Sequence, residues 1–178
     1  EGREMATADV VGAYLNAIMD EFVAMKIEGD MVEFMFQVDP EKYSKHVRVE
    51  NGKKVLYVQI LKALYGYMRS GLLWYNLFCE TLEGHGFVLN PYDPCVANKV
   101  VDGKQCTVTW YVDDLKISHV KCAVVDEVIE LVESHFGKMT VTRGNEHSYV
   151  EVDFEFQHDG LLGSYLNFVN QLYPNILH

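Results

Sequence analysis

The sequence predicts an α+β fold, a mostly antiparallel sheet with two long amphipathic helices packed on one face. Three patterns predict it. Asn51-Gly52 and Asp102-Gly103 each interrupt runs of β-branched and aromatic residues, the strongest short signal for a hairpin. Residues 68–85 and 122–135 instead space their apolar side chains by three and four, which makes one greasy helical face each. Strand, hairpin, helix, hairpin, helix and strands then follow in an order that stacks helices on a sheet.

Each element has its own reason. Residues 1–9 read as a short strand ending at Asp9, and 10–20 as a turn and short helix with Ala13, Tyr14 and Leu15 apolar. Residues 21–27 and 31–38 are strand-like, broken at Glu28-Gly29-Asp30. Val47, Val49, Val55, Tyr57 and Ile60 flank the Asn-Gly turn, whose central residues must both accept positive φ. In the first helix Leu72, Leu73, Leu77, Phe78, Thr81 and Leu82 form the buried face, and Gly84 and Gly86 end it. Residues 95–101 and 105–112 make the second hairpin, and 115–119 continue the sheet. The second helix buries Val125, Val128, Ile129, Val132 and Phe136, shows Asp126, Glu127, Glu130 and Glu133 to water, and stops at Gly137. Residues 138–141 and 148–157 are strands, the latter alternating through Tyr149, Val152, Phe154 and Phe156. A short helical pattern over 165–172 ends at Pro174. A ferredoxin-like or palm-like sheet is the natural candidate.

Composition narrows the function. A chain of 178 residues that is 49% hydrophobic and 12% aromatic has the makings of a packed core. No apolar run reaches the roughly 18–20 residues of a membrane span, and no signal peptide opens the sequence, so a soluble, intracellular protein is expected. Cys79, Cys95, Cys106 and Cys122 are too scattered for a disulfide or zinc framework and read as reduced thiols. The seven histidines lack ligand spacing and read as surface or satisfied side chains. A net charge of −11 weighs against a stand-alone nucleic-acid binder, because duplex affinity comes largely from Lys and Arg. A metal-dependent polymerase core is the exception, since it concentrates carboxylates and leaves backbone gripping to flanking parts.

Asp113 and Asp114 stand between strand-forming runs, at a predicted hairpin tip. Asp is a good turn residue, but folding requires no pair of like charges there. Asp9 ends another strand; alone it reads as a helix N-cap. Were the two strands neighbours, three carboxylates would meet at one sheet edge, a good site for two divalent cations. Mg²⁺ takes oxygen ligands, and two such ions roughly 4 Å apart would polarise an attacking hydroxyl and stabilise leaving pyrophosphate.

Tyr111-Val112-Asp113-Asp114 resembles the YxDD box of reverse transcriptases. Residues 9–17, Asp-Val-Val-Gly-Ala-Tyr-Leu-Asn-Ala, look like the first-aspartate motif of copia-type retrotransposons. Leu61-Lys62-Ala63-Leu64-Tyr65-Gly66, then Ser70 and Trp74-Tyr75, is similar to that class's LKALYGLKQSPRAWY segment. Met25 and Glu28-Gly29, Gly86-Phe87 and Asp93-Pro94-Cys95 fall in the same family order. The resemblance implies an RNA-directed DNA polymerase palm with a partial fingers hairpin over residues 1–160, and a truncated thumb connection or divergent tail over 161–178. It implies that Asp9, Asp113 and Asp114 bind two Mg²⁺ or Mn²⁺ ions with the Val10 backbone, and that Val10, Val11, Gly12 and Ala13 line the triphosphate. Tyr14 would be the gate against a 2′-hydroxyl, or else a core aromatic. Tyr65 and Gly66 would approach the nucleotide or template. Lys138 would be a candidate general acid for pyrophosphate, or else a surface lysine at a helix end. Residues 149–156 would be the primer-supporting hairpin.

The implied partners are an RNA or DNA template with primer, a dNTP, and the rest of a polyprotein with fingers, thumb, RNase H and integrase, in the cytoplasm within a virus-like particle. The family's basic fingers segment before the first aspartate is missing, as is its thumb. Met68-Arg69-Ser70-Gly71 stands where Lys-Gln-Ser-Pro is usual, and Glu151 where Gly is usual. Two readings therefore stand: a catalytic palm cut from a polyprotein, inactive as an isolated fragment, or a folded relic that catalyses nothing. An RNA-dependent RNA polymerase palm fits less well, because a bulky Tyr14 selects against ribonucleotides.

Overall fold

The computed structural model describes residues 2–150 and 152–155, as a mixed α/β fold with antiparallel sheets and four helices. The strands are β1 (Glu4–Val10), β2 (Ile18–Glu28), β3 (Arg48–Glu50), β4 (Lys53–Lys62), β5 (Val88–Leu89), β6 (Val96–Val101), β7 (Lys104–Tyr111), β8 (Asp114–His119), β9 (Met139–Arg143), β10 (Glu146–Tyr149) and β11 (Val152–Glu155). The helices are α1 (Asp30–Val38), α2 (Pro40–Tyr43), α3 (Ser70–Gly84) and α4 (Cys122–Phe136). The chain divides into two compact units, one built from residues up to Ala13 with those from Trp74 onward, the other from Tyr14–Leu73.

In the first unit six strands run in the order β5-β6-β7-β8-β1-β9. Alternation explains its two faces. Ala6, Ala8 and Val10 of β1, Val108 and Trp110 of β7, and Leu115 and Ile117 of β8 are all buried. Trp74 and Phe78 of α3 and Phe136 of α4 close over this side, with Phe78 edge-on to Trp110 at 5.2 Å and Trp74 edge-on to Phe136 at 5.0 Å. Such ring pairs add about 0.5–1.5 kcal/mol to their burial. Every residue of the expected α4 stripe is buried.

The side chains between, Thr7, Asp9, Asp114 and Lys116, belong to the opposite face, which receives the β10–β11 hairpin. There His147 donates from Nε2 to the Gly144 carbonyl (2.9 Å) and accepts at Nδ1 from the Thr7 hydroxyl (3.2 Å). Lys116 Nζ lies 5.4 Å from the centre of the Tyr149 ring, close enough for a cation–π attraction.

In the second unit β2, β4 and β3 form a sheet in the order β2-β4-β3. Asn51 and Gly52 both take positive φ, 50° and 77°, as a tight hairpin between extended strands demands. Lys26 pairs with Glu50 at 3.1 Å and Glu28 at 3.4 Å on the polar face.

Two expectations are corrected. Residues 31–38 are helical within α1. Val32, Met35 and Phe36 recur at i, i+3 and i+4, Val32 is fully buried, and Asp30 and Glu33 sit in the first turn, where acids favour a helix. The strand expected over 148–157 is divided between two arms of a hairpin, the element that the resemblance implies for 149–156, with Tyr149 paired to Val152. As expected, α3 ends at Gly84, and Gly86 closes the turn that stops it. Gly86 N–H bonds the Glu83 carbonyl (2.9 Å) and Phe87 N–H the Leu82 carbonyl (3.1 Å), with Gly86 at φ 84°. This is a Schellman ending, and the buried Phe87 anchors it. The helical pattern over 165–172 and the tail over 161–178 lie outside the described residues.

Candidate active site

The site grows from the order of three strands. β1 lies between β8 and β9, so Asp9 faces Asp114 on one side and Thr140 on the other. Past the end of the ladder, Val10 N–H donates to the Asp113 carbonyl at 3.0 Å. The two strands that carry carboxylates are therefore neighbours, and Asp9, Asp113 and Asp114 gather at one end of the sheet.

β7 and β8 are joined by Val112 and Asp113 alone, since Tyr111 pairs with Asp114. Val112 has φ 56°, in a region that β-branched residues almost never occupy. Such a conformation costs about 1–3 kcal/mol and persists only when neighbours enforce it. Two contacts enforce it here. The Trp74 indole N–H donates to the Val112 carbonyl at 2.7 Å, and the Val10 bond grips the next carbonyl. Trp74 itself is 1% exposed and wedged between Phe78 and Phe136.

Electrostatics mark the same place. The Asp9 carboxyl is raised above its ordinary value of 3.8, first by burial, then by the charges of Asp113 and Asp114. Negative potential is thus concentrated where a cation would relieve it. Among the described residues no group of three or more His, Cys, Asp or Glu side chains is arranged so that it could hold a metal ion. What the three carboxylates share is mutual repulsion and a donor chemistry of oxygen anions, of the kind that Mg²⁺ takes as ligands together with water and phosphate.

The remaining expected residues divide between the units. In the first, Val10 is buried, Val11 is 65% exposed and Gly12 takes φ 65°. Lys138 directly precedes Met139, the register partner of Val10, so it stands at the same sheet end as Asp9. Its ammonium is paired with Glu133, which raises its pKa and keeps it protonated. Ala13–Asn16 is a single 3₁₀ turn, and in the second unit the Tyr14 ring lies on Tyr65 with centroids 4.3 Å apart. Gly66, φ 88°, follows, and the Ser70 hydroxyl accepts from Leu64 N–H at 3.0 Å. Tyr14, Tyr65 and Gly66 are thereby grouped.

Trp74 is the contributor that sequence reading missed. In the sequence it is only part of a motif, and nothing in its spacing discloses a bond to a turn 38 positions away.

The family described as "Reverse transcriptase (RNA-dependent DNA polymerase)" matches residues 1–176. A solved structure of apo telomerase from Candida tropicalis, truncated from its C-terminal domain, is similar with a TM-score of 0.45 and 10% identity, over 86% of this chain. The match spans 34% of the telomerase chain, about a third of its length. No curated protein sequence matches. Among the described residues no helix is long and apolar enough to cross a membrane.

Proposed function

We propose that this chain, which belongs to the reverse transcriptase (RNA-dependent DNA polymerase) family, carries the nucleotidyl-transfer centre of a copia-type retrotransposon polymerase. The observation that carries the reading is the Asp9–Asp114 register pair, closed by the Val10 to Asp113 bond. Residues 1–160 are assigned to a palm-like, ferredoxin-like region with a partial fingers hairpin, and 161–178 to the start of a truncated thumb connection or to a divergent tail.

Asp9, Asp113 and Asp114, with the Val10 carbonyl, would hold two divalent cations, Mg²⁺ or Mn²⁺. Bound there, they supply charge stabilisation to the attacking primer 3′-hydroxyl and the departing pyrophosphate. The chain's own groups do the rest. The strained turn fixes Asp113 and Asp114 without cost at the moment of reaction. The backbone of Val10, Val11, Gly12 and Ala13 is assigned to the triphosphate. Tyr14, braced by Tyr65, is assigned as the gate that rejects a ribose 2′-hydroxyl by clash, and Tyr65 and Gly66 as the template or nucleotide contact. Lys138, kept protonated by Glu133, is the assigned proton donor to pyrophosphate. Template, primer, dNTP and the remaining polyprotein segments are the partners.

The net charge of −11 favours a second reading, a folded relic with no activity of its own. Primer extension on poly(rA)/oligo(dT) with Mg²⁺ or Mn²⁺ separates them. The chain as given should extend nothing. A longer chain carrying the family's flanking fingers and thumb segments should extend, and Asp113→Asn in it should lose at least about a thousandfold. An inactive longer chain would sink the catalytic reading and leave the relic.

A further inference from the structure

His85 directly follows α3, and His135 lies in the last turn of α4. Though far apart in sequence, their rings stand with centroids 5.0 Å apart and planes at 82°. His85 Nδ1 is 2.8 Å from the Thr81 carbonyl, and His135 Nδ1 is 3.0 Å from the Leu131 carbonyl. A carbonyl can only accept, so each Nδ1 carries a proton, and in the neutral ring Nε2 is the nitrogen with the lone pair. The Ser134 hydroxyl, 2.7 Å from the same Leu131 carbonyl and 3.0 Å from His135 Nδ1, helps fix that ring.

This is how metal-binding histidines are held, with the far nitrogen tied to a carbonyl so that ring and tautomer are set in advance. The spacing agrees. With a Zn–N bond of about 2.0–2.1 Å and the ring centre about 1 Å behind the nitrogen, each centroid sits about 3 Å from the ion; a near-tetrahedral angle then separates the centroids by about 5 Å. Both side chains are exposed, which leaves room for waters to complete the shell. Both also stand at the C-terminal ends of helices, where the partial negative charge favours a cation.

We propose that His85 and His135 form a two-histidine site for a borderline divalent transition ion such as Zn²⁺, with water in the remaining positions. It uses none of the proposed carboxylate ligands and is independent of the proposed polymerase chemistry. Imidazole nitrogens select Zn²⁺, Ni²⁺ or Cu²⁺ over Mg²⁺ and Ca²⁺, which take oxygen. Occupancy would pin together the C-terminal ends of the two helices that back the sheet.

Calorimetric titration of the chain with ZnCl₂ tests this, run also on Asp113→Asn so that zinc at the carboxylates is told apart. One ion per chain should bind with a dissociation constant on the order of 10–100 µM and raise the melting temperature, as any ligand of the folded state does. His85→Gln and His135→Ala should each weaken that binding at least tenfold while leaving the metal-free melting temperature within a degree or two of the parent. His46→Ala should change nothing, and MgCl₂ should not compete. Absence of saturable binding below 1 mM would overturn the site, as would zinc affinity untouched by His85→Gln and His135→Ala or lost equally in His46→Ala.

Discussion

At one end of β7 the chain reverses through Asp102-Gly103, and at the other through Val112-Asp113. The first turn places positive φ on residues that tolerate it, 51° for Asp102 and 74° for Gly103, and lies exposed with Asp102 held by Lys121 at 2.7 Å. The second places 56° on a valine, and a tryptophan from α3 and the backbone of β1 hold it there. Both turns serve the same topological purpose. A hairpin needing only to reverse direction uses the cheap chemistry of the first. The second spends stability to fix two carboxylates beside a third, which is where strain is expected to carry function.

That contrast can be broken at several points. Trp74→Ala removes the ring that props the strained turn and empties a packed site, so urea unfolding should show a loss of about 3–5 kcal/mol. Trp74→Phe keeps most of the ring and deletes only the donor to the Val112 carbonyl; about 0.5–1.5 kcal/mol should go, with a larger proportional fall in extension by the longer chain. Unchanged stability and extension in Trp74→Phe would mean the bond does not hold the turn. Exchanging the turn chemistry gives opposite signs. Gly103→Val should cost about 1–3 kcal/mol, whereas Val112→Gly should relieve strain and stabilise by up to about 1 kcal/mol while slowing extension. Destabilisation by both would erase the distinction.

The smallest effect concerns charge. Asp9 has a folded-state pKa above its ordinary 3.8, so between those two values the folded chain holds more protons than the unfolded one. Stability therefore falls as pH rises through that window, and the deficit is complete at neutral pH. Asp9→Asn should raise the melting temperature at pH 7 by about 1–3 °C, and the advantage should vanish as pH drops below 3.8. An advantage that persists in acid would point to packing.

Sequence alone reached the elements whose signals are local. Asn51-Gly52 and Asp102-Gly103 name their turns, and Val125, Val128, Ile129, Val132 and Phe136 name the buried side of α4. It stumbled where local signals are ambiguous. Met31-Val32-Glu33-Phe34-Met35-Phe36 is apolar enough to satisfy either period, and only the sheet it covers decides for helix. The β10–β11 reversal carries no Asn-Gly; Val150 takes φ 53° there, another valine in a position that its own preferences disfavour. The site was legible as a set of carboxylates, because Asp9 and Asp113-Asp114 end strands. Their adjacency depends on β1 entering between β8 and β9, and the bracing of Val112 on Trp74, neither of which any short window of sequence encodes.

Trp74 also makes the turn observable. The chain has two tryptophans, and the other, Trp110, can be replaced by phenylalanine to leave one fluorophore. Its indole nitrogen then reports, through emission wavelength and lifetime, on the carbonyl immediately before Asp113. Titrating Mg²⁺ or Mn²⁺ against Trp110→Phe should shift that emission if cations load the carboxylates, in an optical measurement that needs no primer, template or nucleotide. Asp113→Asn in the same background should abolish the shift, which turns one hydrogen bond into a gauge of occupancy.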